Sequence, residues 1–191
     1  MSSDLRAFDG DAGVAAIDAA LVRAGTGGLA GIELSRGAFD EQLLVSMTAY
    51  SRVVDELRDV TDAVRPSLPR TGSDHASPAT VAEAWVPVEF RGLIDVPELP
   101  GSFGPALQVA SSYDVLQQHE AIAAAIRFPL SSVPLPDPDG NALTGWRMSL
   151  TASADPDAPV WRRDPDIAFC VALFWSAAKY STEHGTGIVY A

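Results

Sequence analysis

The chain has 191 residues, long enough for one domain with a buried core, and its 47% apolar share is that of a globular protein, not a disordered one. Acidic residues outnumber basic ones 25 to 13, a formal charge of −12 that repels phosphate backbones and anionic bilayers, so nucleic acid and acidic membrane surfaces are excluded as expected partners. Cys170 is the single cysteine, which excludes an intrachain disulfide.

Asp11 can cap a short helix over 11–24, with Val14, Ile17 and Leu21 on one face and Gly25 able to end it. The Met1 to Asp11 stretch lacks the basic and apolar regions of a secretion signal. Gly25–Thr26–Gly27–Gly28 reads as a joint, and Leu29 to Leu34 as a strand. The segment Asp40 to Arg65 carries the strongest periodicity in the chain. Leu43, Met47, Tyr50, Val54, Leu57, Thr61 and Val64 recur at alternating spacings of four and three, and Pro66 and Pro69 stop the helix they predict. Leu44, Val53 and Val60 widen the stripe beyond a two-stranded seam, so the helix faces either its own core or a multi-helix contact between subunits. Asp55, Glu56, Arg58, Asp59 and Asp62 form its polar face.

Residues 66–78, rich in Pro, Ser, Gly and Asp, predict a loop and an internal boundary. The chain is read as a single domain, 1–191. The alternative is an N-terminal helical part (1–65) joined by this loop to a β-rich part (79–191). Val86, Val88 and Phe90 alternate with polar residues, and Leu93 to Val96 is placed to pair back on them as a hairpin; Pro87 makes the first of these an expected edge strand. Ser112 to Ile126 predicts a helix with Val115, His119, Ile122 and Ile126 on one stripe, followed by an irregular Phe128 to Ala142. Alternation at Trp146, Met148 and Leu150 predicts a half-buried strand. Ile167 to Ala178, large at odd positions and mostly small at even ones, predicts a central strand covered on both sides. Its Ile167 to Trp175 run is the longest apolar stretch, well short of the ~20 residues of a membrane span, so a soluble chain, cytoplasmic or assembled in a particle, is expected. Thr182 to Gly185 reads as a turn and Ile188 to Tyr190 as a closing strand. The fold class is therefore α+β: a mixed or mainly antiparallel sheet from the C-terminal half, packed against one long helix (about 40–65) and a shorter one (about 112–126). Proline-rich extended loops (66–78, 129–142 and 154–166) complete it.

Chemistry-bearing residues are few. Each of the three histidines has an acidic neighbour (Asp74–His75, His119–Glu120, Glu183–His184), but adjacent residues point apart on a helix or strand. His119–Glu120 opens like a zinc-protease helix, yet Ala123 stands where the second histidine is required. His119 and Glu120 remain the weak catalytic candidates. Asp-Pro-Asp occurs at 137–139, 155–157 and 164–166; Asp137, Asp139 and Asn141 imitate the start of a calcium loop and are the weak metal candidates. Ala142 and Met148 occupy the positions where that loop needs Gly and Glu, and Asp-Pro is ordinary turn chemistry. Cys170, inside the most apolar segment, reads as structural. The glycine-rich pieces lack the lysine of a P-loop and the spacing of a dinucleotide fingerprint, so no cofactor is expected. Trp85 and Trp161 border proline-rich loops, and Trp161–Arg162–Arg163 is the one compact basic spot; Trp85, Trp161, Arg162 and Arg163 are the expected interface residues.

With no catalytic constellation and several contact features, the expected role is a non-catalytic structural or scaffolding subunit. Its partners would be protein subunits, its own copies or a larger complex such as a virus particle or an enzyme assembly. A small-molecule enzyme or binding protein with a pocket near His119 is the alternative, and an acidic inhibitor or immunity-type protein for a basic partner is the third reading.

Overall fold

A computed structural model describes residues 11–36, 47–64, 68–71, 78–101, 104–134 and 141–189. The class is α+β, with a five-stranded mixed sheet and helices on both of its faces. The strands are β1 (Glu33–Arg36), β2 (Ala84–Val86), β3 (Leu93–Val96), β4 (Leu107–Ser111) and β5 (Thr186–Val189), in the order β1-β5-β2-β4-β3. β1 lies parallel to β5, β5 antiparallel to β2, β2 parallel to β4, and β4 antiparallel to β3. The sheet thus recruits β1 from the N-terminal third as well as strands from further on.

Side chains alternate across the sheet as period two demands. Ala84, Val86, Ile94, Leu107 and Val109 face one core with Ile17 and Leu21 of α1 (Asp11–Arg23). Trp85, Leu93, Ala110 and Ile188 face the other, which is larger and is closed by α2 (Met47–Glu56), α5 (Ser112–Ala125) and α8 (Pro165–His184). The shorter helices are α3 (Arg58–Val64), α4 (Pro78–Val81), α6 (Asn141–Ser149) and α7 (Val160–Arg163). Among the described residues no helix is long and apolar enough to cross a membrane.

The long periodic helix is present over its described part, in two pieces that meet at Leu57. The Leu57 amide still bonds to the Val53 carbonyl and the Thr61 amide to the Leu57 carbonyl, so the ladder runs through the junction. Tyr50, Val54 and Thr61 are buried, as the stripe requires. The segment 40–46 lies outside the described residues.

The largest correction is α8. Ile167–Ala178 is not a strand but the middle of a buried helix of 20 residues. A helix enclosed by neighbours is apolar all round, so its composition resembles that of a doubly covered strand. Its ends carry the decisive signals. Asp164 caps it by accepting a hydrogen bond from the Asp166 amide (3.0 Å), Pro165 stands in the first turn, and Gly185 closes it with a left-handed φ of 62°. Thr182 to His184 is accordingly the last turn of this helix.

Trp146, Met148 and Leu150 are likewise not a strand. Residues 141–149 are α6, where Met148 is 76% exposed while Arg147 reaches Asp166 (3.0 Å) and lies over the Phe169 ring (5.2 Å). These ties to α8 favour a helix that simple alternation does not reveal. The expected hairpin is also absent: β3 pairs with β4, and β2 is central, between β5 and β4. Pro87 falls just beyond β2, where no ladder amide is needed, so it does not force an edge. The expected strand at Leu29–Leu34 begins later, because Leu29 to Ile32 form a turn closed by the Ile32 amide on the Leu29 carbonyl.

Candidate functional site

His119 is among the fully buried polar residues of the described structure. It is fully buried, on the face of α5 that packs against α2 and α8. Its Nδ1 lies 2.7 Å from the Val115 carbonyl, which can only accept, so Nδ1 carries the proton and Nε2 is the acceptor. The Tyr50 hydroxyl, 2.5 Å from Nε2, is then the donor. The Tyr50 and His119 rings lie nearly parallel (10°) with centroids 6.0 Å apart, joined edge to edge by that bond, and Phe174 of α8 meets both rings at 5.4 Å. Burial pushes the imidazole pKa down to about 4, with the Val115 bond opposing the fall. Both ring nitrogens are satisfied and apolar rings surround them, an arrangement that holds a neutral histidine as a cross-brace between three helices. Glu120 points to solvent, away from it.

Cys170 is also buried, and that burial, reinforced by the charges of Asp166 and Asp164, pushes its thiol pKa up to about 12. A thiol so protonated and hidden is a poor nucleophile. Asp137, Asp139 and His75 lie outside the described residues, as does the Asn141 side chain. Among the described residues no cluster of His, Cys, Asp and Glu could hold a metal ion. The two described Asp-Pro-Asp triplets serve local structure. The Asp155 carboxylate accepts from the Asp157 amide, and the third triplet caps α8.

Trp85 and Trp161 part company. Trp85 is 0% exposed on β2 and packs on Phe174, so it is core and not a surface anchor. Trp161 is half-buried on α7. Its indole N–H donates to the Arg127 carbonyl (3.0 Å), Phe128 meets its ring edge-on (5.4 Å), and the Arg162 guanidinium lies over it (5.1 Å).

The Arg127 carbonyl is available because of how α5 ends. The Phe128 amide bonds to the Ala123 carbonyl and the Arg127 amide to the Ala124 carbonyl, the paired closure of a Schellman motif. That motif places Arg127 in the left-handed region, φ 58°, a position where glycine is usual. Sequence reasoning passed over Arg127 because no glycine marked the helix end.

Between this corner and the α2–α3 junction runs a groove of about 360 Å³. Buried Val53 and Ile126, with half-buried Leu57 and Val160, line its apolar floor. Its rim is charged and exposed, with Glu56 of α2, Arg127 just past α5, Asp157 before α7 and Arg163 of α7. Among the described residues none of these four side chains has an ion-pair or hydrogen-bond partner. Trp161 and Arg162 stand beside the groove, so three of the four expected interface residues gather at this corner.

The chain matches no family model, no curated protein and no solved structure.

Proposed function

We propose that this protein is a non-catalytic structural or scaffolding subunit that acts by contacting protein surfaces, in an assembly of its own copies or in a larger complex. The observation that carries the reading is the Trp161–Arg162–Arg163 corner. A half-buried tryptophan, a stacked arginine and a groove with an apolar floor and unpaired charged rim are the materials of a protein contact. The filled surroundings of His119 weigh against the pocket that the enzyme alternative would need there. The acidic-inhibitor reading draws on the exposed Asp55, Glu56 and Asp59 of α2 and α3, and binding to a cationic protein that collapses with added salt would single it out.

The test is the mass in solution, by light scattering coupled to size exclusion at low and high salt. A stable oligomer at both salts is the expected result. A clean monomer at both, over a wide concentration range, counts against self-assembly.

A further inference from the structure

The Tyr50–His119 bond holds only while the imidazole is neutral. Nδ1–H is committed to the Val115 carbonyl, so the Tyr50 hydroxyl has an acceptor only as long as Nε2 keeps its lone pair. A proton added there makes both nitrogens donors, and the hydroxyl then faces an N–H. The charge so created lies among the rings of Tyr50 and Phe174, and a buried charge without a partner is costly. Among the described residues no carboxylate meets it. On α5, the Asp114 carboxylate accepts from the Gly92 amide (3.2 Å), Tyr113 is half-buried and Glu120 is exposed. On α2, Arg52, Asp55 and Glu56 are exposed. On α3, which packs on α5, Arg58 and Asp59 are exposed and Asp62 pairs with Arg91. On α8, Asp164 and Asp166 stand at the start and Cys170 is a buried thiol; Lys179 pairs with Glu183, and Tyr180 stacks on His184 at the exposed end.

The three helices that meet at His119 are not equally held. α5 grows directly out of β4, α8 runs through Gly185 into β5, and the Ser112 and Ser181 hydroxyls join the two helices (2.6 Å). α2 continues into α3 and adjoins no strand among the described residues. Of its described side chains only Tyr50, Val53 and Val54 are buried, and Tyr50 is the largest of them. We propose that Tyr50 and His119 form an acid-sensitive latch: protonation of His119 frees α2 from α5 and α8, while the sheet and the α5–α8 pair stay folded, and α2 closes again when the pH is restored. The direction follows from linkage. With α2 released, the imidazole meets water and takes its proton near the ordinary 6.5; closed, it resists until about 4, so opening is favoured as pH falls from 6.5 toward 4. Val53 and Glu56 of the groove travel with α2, so opening also removes part of the groove's lining.

The experiment is hydrogen–deuterium exchange of the full chain, read by mass spectrometry at pH 7 and pH 4.5, with exchange times scaled for the intrinsic amide rate. Opening of α2 (Met47–Glu56) is expected to become about fiftyfold more frequent at the lower pH. Peptides of β4 and α8 are expected to keep their protection, and return to pH 7 to restore that of α2. The double variant Tyr50→Phe with His119→Leu, apolar on both sides of the bond, is expected to show no such change in α2. An equal loss in that variant, or unchanged α2 protection in wild type, would overturn the latch. Loss of protection throughout the chain in step with α2 would overturn it as well, by replacing local release with unfolding. Should the double variant fail to fold, NMR of the wild-type imidazoles decides. Proton uptake by His119 is expected to accompany the opening of α2, and uptake while α2 stays protected would overturn the proposal.

Discussion

At the scale of single residues, the pairing of Tyr50 with His119 shows how a titratable group can belong to the core. A buried neutral imidazole is an acid-sensitive component, and the sign follows from its pKa. The folded value, about 4, lies below the ordinary 6.5. The unfolded chain therefore binds the proton first, and the contribution of His119 is complete above pH 6.5 and lost as pH falls from there toward 4. The gap corresponds to about 3 kcal/mol. Chemical denaturation between pH 7 and 4 is expected to show this loss in wild type and a flatter profile in the double variant Tyr50→Phe with His119→Leu. Parallel profiles would remove His119 as the source. Tyr50→Phe alone leaves Nε2 a buried acceptor without its donor and is expected to cost about 1–3 kcal/mol at neutral pH. His119 was legible as a residue on the inner stripe of its helix. Its partner was not, because Tyr50 lies far away in sequence and only the packing of α2 on α5 and α8 brings the hydroxyl to the ring.

At the scale of elements, sequence pattern was sufficient where one face is wet and failed where an element is enclosed. The helix at 47–64 carries an apolar stripe opposed by a polar face, those at 11–23 and 112–125 keep a recognisable apolar spacing, and periodicity locates all three. α8 has no such contrast, so its interior mimics a central strand; its caps at Asp164, Pro165 and Gly185 speak for a helix, but the first two sit inside an Asp-Pro-Asp triplet that also reads as a turn. The cap makes a direct prediction. Asp164→Ala removes the acceptor for the Asp166 amide and is expected to lower stability by about 1 kcal/mol, while Asp164→Ser or Asp164→Asn should recover most of it. Denaturant titration of the three variants checks this, and an unchanged midpoint in Asp164→Ala would show that the start of α8 is held by its tertiary contacts alone. Strand partners were harder to read than strand positions. β3 follows β2 closely in sequence but pairs with β4, and no local pattern distinguishes the two choices.

At the scale of the whole molecule, charge is the dominant fact. With a formal charge of −12, self-repulsion opposes both compactness and association, and added salt screens it. Ion pairs such as Arg23–Glu98 and Arg58–Asp55 are largely exposed and contribute little. Moderate sodium chloride is therefore expected to raise the thermal midpoint; a steady fall with salt would mean that attractive pairs outweigh the net repulsion. Of the candidate contact site, the Trp161–Arg162–Arg163 wall was legible as a compact basic spot beside an aromatic ring. The rest of its lining was not. Glu56 looks like one more acid on a polar helix face, and Arg127 enters the site through a left-handed helix terminus that its residue type conceals.

The position of β5 sets a condition on how this protein is made. It is the strand that joins β1 to β2, and one residue, Gly185, separates it from α8, the helix on which α2 and α5 pack. Until translation has passed both, β1 lacks its neighbour and the larger core lacks its centre. A nascent chain on the ribosome thus carries the apolar faces of α2 and α5 without their common partner until α8 has emerged, and the larger core closes only then. During that interval its acidic charge is the property that holds growing chains apart.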